Sequence, residues 1–134
     1  MRLPSLALAA TLVAFALPAA AQTAPDWSKA ETLTVSMSNY AFTPATLYLK
    51  ANQPYKLVFT STVMKDHDFN APELFAAGLI DPEDAGKVSK GTVEVDDGGT
   101  VAVHFMPTRP GTYNFNCDHF MHAMLGMKGS AVVQ

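Results

Sequence analysis

Cys117 is the only cysteine of the chain, and the ten residues after it hold His119, Met121, His122, Met124 and Met127. Thiolate, imidazole and thioether on one short loop are soft and borderline metal donors. With one more histidine from elsewhere, the set becomes Cys, His, His and a weak axial Met, the donor list of a type 1 copper centre. A solitary cysteine is more often a small buried hydrophobe. Its neighbours argue here for ligation, because they fold back over the end of the strand that carries it.

Spacing orders the candidates. Cys117-x4-His122-x4-Met127 lets one loop return three side chains to a single ion. His119 competes, but a single residue separates it from Cys117, which hinders both from pointing at the same ion. Met124 rivals Met127, which Gly126 and Gly129 flank and so suit to a tight return. The fourth donor comes from His67, in Lys65-Asp66-His67-Asp68-Phe69-Asn70, or from His104. The latter alternates against Val101, Val103 and Phe105 and is expected to face solvent.

The elements that position these residues read as short strands. Leu33, Val35 and Met37 alternate with polar residues, as do Leu47 and Leu49, then Tyr55, Leu57 and Phe59, where Val58 suggests burial on both faces. Val93 and Val95, then Val101, Val103 and Phe105, follow the same rule. Tyr113, Phe115 and Cys117 share one face, which aims the sulfur inward, and Ala131-Val132-Val133 forms a last strand. Asn52-Gln53-Pro54, Asp96-Asp97-Gly98-Gly99, Arg109-Pro110-Gly111 and Lys128-Gly129 supply turns. The pattern predicts an all-β fold, an antiparallel β-sandwich or Greek-key barrel. A short helical insertion around residues 72–90 is expected to connect its two sheets, with Asp81 as N-cap and Pro82 at N1 of one helix.

Residues 1–21 read as a signal peptide: Arg2, an apolar run from Leu6 to Leu17, and Ala19-Ala20-Ala21 before Gln22. That run is too short for a stable membrane span. Cleavage would leave residues 22–134, 113 residues in one domain, exported to the periplasm with no membrane anchor. Without Arg2 the basic residues number 8 against 12 acidic, a formal charge of −4. No Lys/Arg cluster suits nucleic acid. One cysteine forms no intramolecular bridge in an oxidising compartment, so its thiol is available for other chemistry.

The chain resembles the cupredoxin (plastocyanin/azurin-like) family. The matching residues are Tyr40-Ala41-Phe42-Thr43-Pro44 with Leu47 and Leu49, His67-Asp68-Phe69, Gly111 to Cys117, His122, and Gly126-Met127-Lys128-Gly129. The resemblance implies a Greek-key β-sandwich with one type 1 copper ion held by His67, Cys117 and His122, with Met127 axial. Two positions depart from the family pattern: Asp68 replaces the usual Asn, and Asp118 replaces Ser or Thr. Two adjacent carboxylates do not both ionise cheaply, so one is expected to be protonated or turned to water.

The implied function is single-electron transfer between redox partner proteins, through a surface where His122 nears solvent. The alternative is a periplasmic copper chaperone or tolerance protein, exchanging copper with donor and acceptor proteins through His119, Met121 and Met124. No Ser/His/Asp arrangement, phosphate loop or additional histidine set suggests an enzyme.

Overall fold

A computed structural model describes residues 23–134; the expected leader, residues 1–21, lies outside the described residues. Ten strands form two five-stranded sheets. In chain order they are β1 (Glu31–Ser38), β2 (Ala41–Thr43), β3 (Thr46–Leu49), β4 (Tyr55–Ser61), β5 (His67–Asn70), β6 (Gly78–Ile80), β7 (Thr92–Val95), β8 (Thr100–Pro107), β9 (Gly111–Asn116) and β10 (Lys128–Val133). One sheet runs β2-β1-β4-β8-β6 and the other β3-β10-β9-β5-β7. The period-2 alternation is realised as burial: Val35, Met37, Leu47, Leu49, Tyr55, Leu57, Phe59, Val93, Val95, Val103 and Phe105 fill the space between the sheets. Val58 is only half-buried, because the outer face of β4 has no layer above it.

Two pairings correct the expectation of a purely antiparallel sandwich. β1 runs parallel to β4, and β3 parallel to β10. Alternation encodes which face is buried and leaves direction open. A parallel pair requires a crossover, and here the chain passes through β2 and then β3 in the opposite sheet before returning as β4.

The insertion does connect the sheets, but with little helix. From β5 the chain enters α1 (Pro72–Ala76), then β6, which adds to the edge of the opposite sheet beside β8. Pro72 begins α1, as its fixed φ and missing N–H allow. No helix grows from Asp81-Pro82. Asp81 Oδ1 accepts the Glu83 N–H at 3.1 Å, and the Asp84 N–H returns to the Asp81 carbonyl at 2.8 Å, closing a turn. Only the 3-10 turn Ala85–Lys87 follows, because Gly86 weakens propagation and Val88 is already extended.

Asp84 anchors that turn to β8. Its carboxylate accepts Lys87 Nζ at 2.5 Å, the His104 N–H at 2.8 Å and the His104 ring Nδ1 at 2.8 Å. His104 is therefore half-buried and held, with Trp27 beside it at 6.1 Å between ring centroids, rather than pointing freely into solvent. Burial works to raise the Asp84 carboxyl, but the Lys87 and His104 hydrogen bonds outweigh it and hold it at about 2, below the usual 3.8. A carboxyl lowered by folding stabilises the fold above its unfolded value, and the benefit disappears as pH falls from about 4 to about 2. The difference corresponds to about 2 kcal/mol. Asp84→Asn is expected to lose about that much at pH 7 and to match the parent only well below pH 2, where the Asp84 carboxyl is protonated as well. Denaturant unfolding at the two pH values checks this.

Candidate metal centre

Three chain segments meet at one end of the sandwich. His67 opens β5, Cys117 follows β9 directly, and His122 and Met127 lie on the loop between β9 and β10. Antiparallel pairing of β9 with β10 brings the two ends of that loop together. The Cys117 N–H donates to the Met127 carbonyl at 3.1 Å, and the Met127 N–H donates to the His122 carbonyl at 3.0 Å. The loop is wound by further backbone bonds, His122 N–H to His119 O at 3.0 Å and Leu125 N–H to Met121 O at 3.0 Å. Gly126, at φ +101°, makes the reversal just before Met127, a conformation that favours glycine.

The geometry brings three of the candidates together and sets the others apart. Cys117 Sγ lies 3.3 Å from His122 Nδ1 and 4.0 Å from His67 Nδ1, and the three donor atoms lie within 4.8 Å of one another. All three residues are buried, and so is Met127. His104 sits with Asp84 instead, and His119 turns outward to Glu94. Met124 is exposed to solvent. His122, expected near solvent, is itself only 3% exposed, yet it borders a shallow surface pocket with Lys65, Asp66, His119 and Phe120.

The residues present fit a soft metal ion. Donors about 2.0–2.3 Å from one ion stand about 3.5 Å from each other, which the observed 3.3 and 4.0 Å bracket. Burial, the largest influence on each imidazole, pushes both His67 and His122 below the ordinary histidine value, leaving them neutral with lone pairs to give. Burial likewise pushes the Cys117 thiol up, so ligation must release its proton. His67 Nε2 is buried and has no hydrogen-bond partner among the described residues, so the orientation of its ring is set by Nδ1 facing the sulfur.

Asp68 and Asp118 resolve their conflict by separating. The Asp118 carboxylate turns to the surface, accepting Asn70 Nδ2 at 2.7 Å and Asn116 Nδ2 at 2.8 Å. Asp68 stays buried; desolvation raises its carboxyl, against the pull of the Asp118 N–H bond. Its Oδ1 accepts that N–H at 2.8 Å, while its own N–H reaches Cys117 Sγ at 3.5 Å. The loop of His67 and the loop of Cys117 are thus tied by a carboxylate. N–H donation to the sulfur also stabilises thiolate charge.

Two neighbours of the site were given no role on sequence grounds. The Tyr40 ring meets His122 edge-on at 5.0 Å and lies under Lys65 Nζ. Glu94 accepts from His119 at 2.6 Å. Both contacts join residues far apart in the chain, so no local spacing signals them.

A family model described as "Cupredoxin-like domain" matches residues 6–133. No curated protein sequence matches the chain. Among solved structures, auracyanin B aligns with TM-score 0.55 and 20% identity, covering 85% of this chain and 93% of its own. Reduced auracyanin from the photosynthetic bacterium Roseiflexus castenholzii aligns with TM-score 0.55 and 21% identity, over 78% of this chain and 98% of its own. Auracyanin A, a "blue" copper protein from the thermophilic photosynthetic bacterium Chloroflexus aurantiacus, does so with TM-score 0.55 and 20% identity, over 77% and 98%. At these identities the structural likeness establishes the fold.

Proposed function

We propose that this chain, which belongs to the cupredoxin-like domain family, carries single electrons by means of one copper ion held by His67, Cys117, His122 and, more weakly, Met127. The observation that carries the reading is the convergence of two imidazole nitrogens on one buried sulfur. Copper bound there would supply a one-electron Cu(II)/Cu(I) couple, for which thiolate and thioether favour the reduced state and imidazole accepts both.

The chain's own part is to hold the donors still and keep water away. His67 is fixed by the β5–β7 ladder and Cys117 by the β9–β10 ladder, and the Asp68–Asp118 tie joins the two. A donor set that barely moves lowers the reorganisation needed at each electron exchange. In the pocket beside His122, Phe120 is 90% exposed, and Met121, Met124 and Leu125 on the same β9–β10 loop are exposed apolar residues as well, as is Met64 next to Lys65 in the chain. Such a rim supports brief docking to a redox partner. We place the protein in the periplasm on the pattern of residues 1–21, and read it as a carrier rather than an enzyme.

The exposed thioethers of Met64, Met121 and Met124 favour the second reading, copper handling, since methionine sulfur binds Cu(I). One equivalent of Cu(II) added to the purified chain separates the two. Intense thiolate-to-copper absorption, a narrow copper hyperfine pattern and rapid electron self-exchange are expected for the carrier. A weakly coloured tetragonal spectrum, or prompt reduction with more than one Cu(I) retained, sinks that reading in favour of copper handling.

A further inference from the structure

The two imidazole donors are not equally supported. His67 is part of the β5–β7 ladder, whereas His122 rides on the loop between β9 and β10. The His122 ring makes no hydrogen bond among the described residues beyond its contact with the sulfur. Metal-bound imidazoles are ordinarily oriented by a partner on the second ring nitrogen. We infer, resting on the copper-carrier reading of this site, that Tyr40 and His119 take over that task as positioning residues. Their rings hold the His122 imidazole in its donor orientation, in the metal-free chain and at each change of copper's oxidation state.

The contacts are of two kinds. His119 lies nearly parallel to His122, at 5.6 Å between centroids and 24° between planes. Tyr40 meets the same ring at 5.0 Å and 61°. Both are arrangements that ring quadrupoles favour, and contacts at such different angles are not lost by one and the same rotation. The loop accepts a cost to bring the histidines together. The His122 N–H bonds to the His119 carbonyl at 3.0 Å, closing a four-residue turn, and Met121, its third residue, takes φ +64°. That conformation favours glycine, yet a turn of this kind needs it and holds its end residues within about 7 Å.

Each positioning ring is braced in turn by a charged residue. Lys65 Nζ lies 5.1 Å from the centroid of the Tyr40 ring and 3.4 Å from its hydroxyl, and an ammonium over a ring face is attracted by it. Glu94 Oε1 lies 2.6 Å from His119 Nε2. Lys65, Tyr40, His122, His119 and Glu94 thus form one unbroken series of contacts. Tyr40 immediately precedes β2, Lys65 lies two residues before β5, and Glu94 is on β7, so the series ties the donor loop to both sheets.

The test reads the His122 ring directly. In the metal-free chain with isotope-labelled histidine, its ring NMR signals are expected to be sharp. Tyr40→Ala and His119→Ala should broaden them by exchange, and Tyr40→Phe, which keeps the ring, should leave them sharp. Copper affinity should fall about 10-fold in each alanine variant, the lower end of the 10–100-fold effect of residues that orient a ligand, and return in Tyr40→Phe. His119 is 32% exposed, so His119→Ala should melt with its parent. Sharp His122 signals with parental copper affinity in both alanine variants overturn the proposal, as does broadening spread evenly over the whole spectrum. A parent chain without intense thiolate-to-copper absorption sinks the carrier reading alone, because the metal-free ring signals still decide what Tyr40 and His119 do.

Discussion

Cys117→Ala is expected to abolish the thiolate-to-copper absorption completely and to weaken copper binding by more than 100-fold, while the chain still folds. The sulfur is the atom on which both imidazole nitrogens converge, at 3.3 and 4.0 Å, and it also receives the Asp68 N–H. Loss of a partner that merely orients a ligand costs about 10–100-fold in metal affinity, so loss of the thiolate itself must cost more. The effect on stability has the opposite scale. In the metal-free chain Cys117 is a buried thiol that burial keeps protonated, packed as a small apolar group. Its removal leaves a small cavity, worth about 1–2 kcal/mol. Optical titration with Cu(II) beside thermal melting of the metal-free protein separates the two effects. A variant that keeps the intense absorption would refute Cys117 as a ligand. One that fails to fold would mean that the thiol is chiefly a packing group.

The same contrast shows what could be read in the sequence and what could not. Alternation in Val93-Glu94-Val95 and in Tyr113 to Cys117 fixed which side chains face inward: Val93, Val95, Phe115 and Cys117 are buried and Tyr113 partly so. Cys-x4-His-x4-Met was legible as a candidate site because its three residues share one loop, whose closure needs only the β9–β10 pairing. Strand direction was not legible: nothing in Leu33-Thr34-Val35 distinguishes a parallel neighbour from an antiparallel one. β6 escaped for a different reason. Gly78-Leu79-Ile80 is three residues long and lies in an edge position, and its close pairing with β8 needs a glycine at 78, where a side chain would meet the Phe105 ring and the Met106 carbonyl. Asp81-Pro82 carried a genuine helix-start signal, but Gly86 and the extended Val88 stop it after one 3-10 turn, which Asp84 anchors to His104 on β8. The partnership of Glu94 with Asp68 and His119 was likewise invisible, since it arises from β5–β7 register and not from any local spacing.

Phe69→Ala is expected to destabilise the fold by about 3–5 kcal/mol, the range for a fully buried aromatic truncated in a core that cannot collapse around it. Phe69 is 0% exposed and lies at the junction of both sheets and the helix. Its ring is 4.5 Å from Phe59 on β4, 4.6 Å from Phe115 on β9, 6.0 Å from Phe42 on β2 and 6.1 Å from Phe75 on α1. Domains of this size are stable by about 5–15 kcal/mol, so the loss is a large share of the total and lowers the melting temperature by on the order of 15 °C. The consequence for the site follows from position along the strand. Phe69 is two residues beyond His67 on the same face of β5, and Asp68 between them supplies both the N–H to Cys117 Sγ and the tie to Asp118. Loosening Phe69 therefore loosens two of the constraints that hold the donors, and broadened copper hyperfine lines should accompany the lower melting temperature. Phe69→Leu, which keeps most of the volume, should recover the narrow spectrum and most of the stability. Melting of the metal-free forms and EPR of the copper forms measure the two parts separately. A Phe69→Ala protein destabilised by under 1 kcal/mol would show that the aromatic cluster is not what fixes β5, and the rigidity of the site would then have to come from its loops alone.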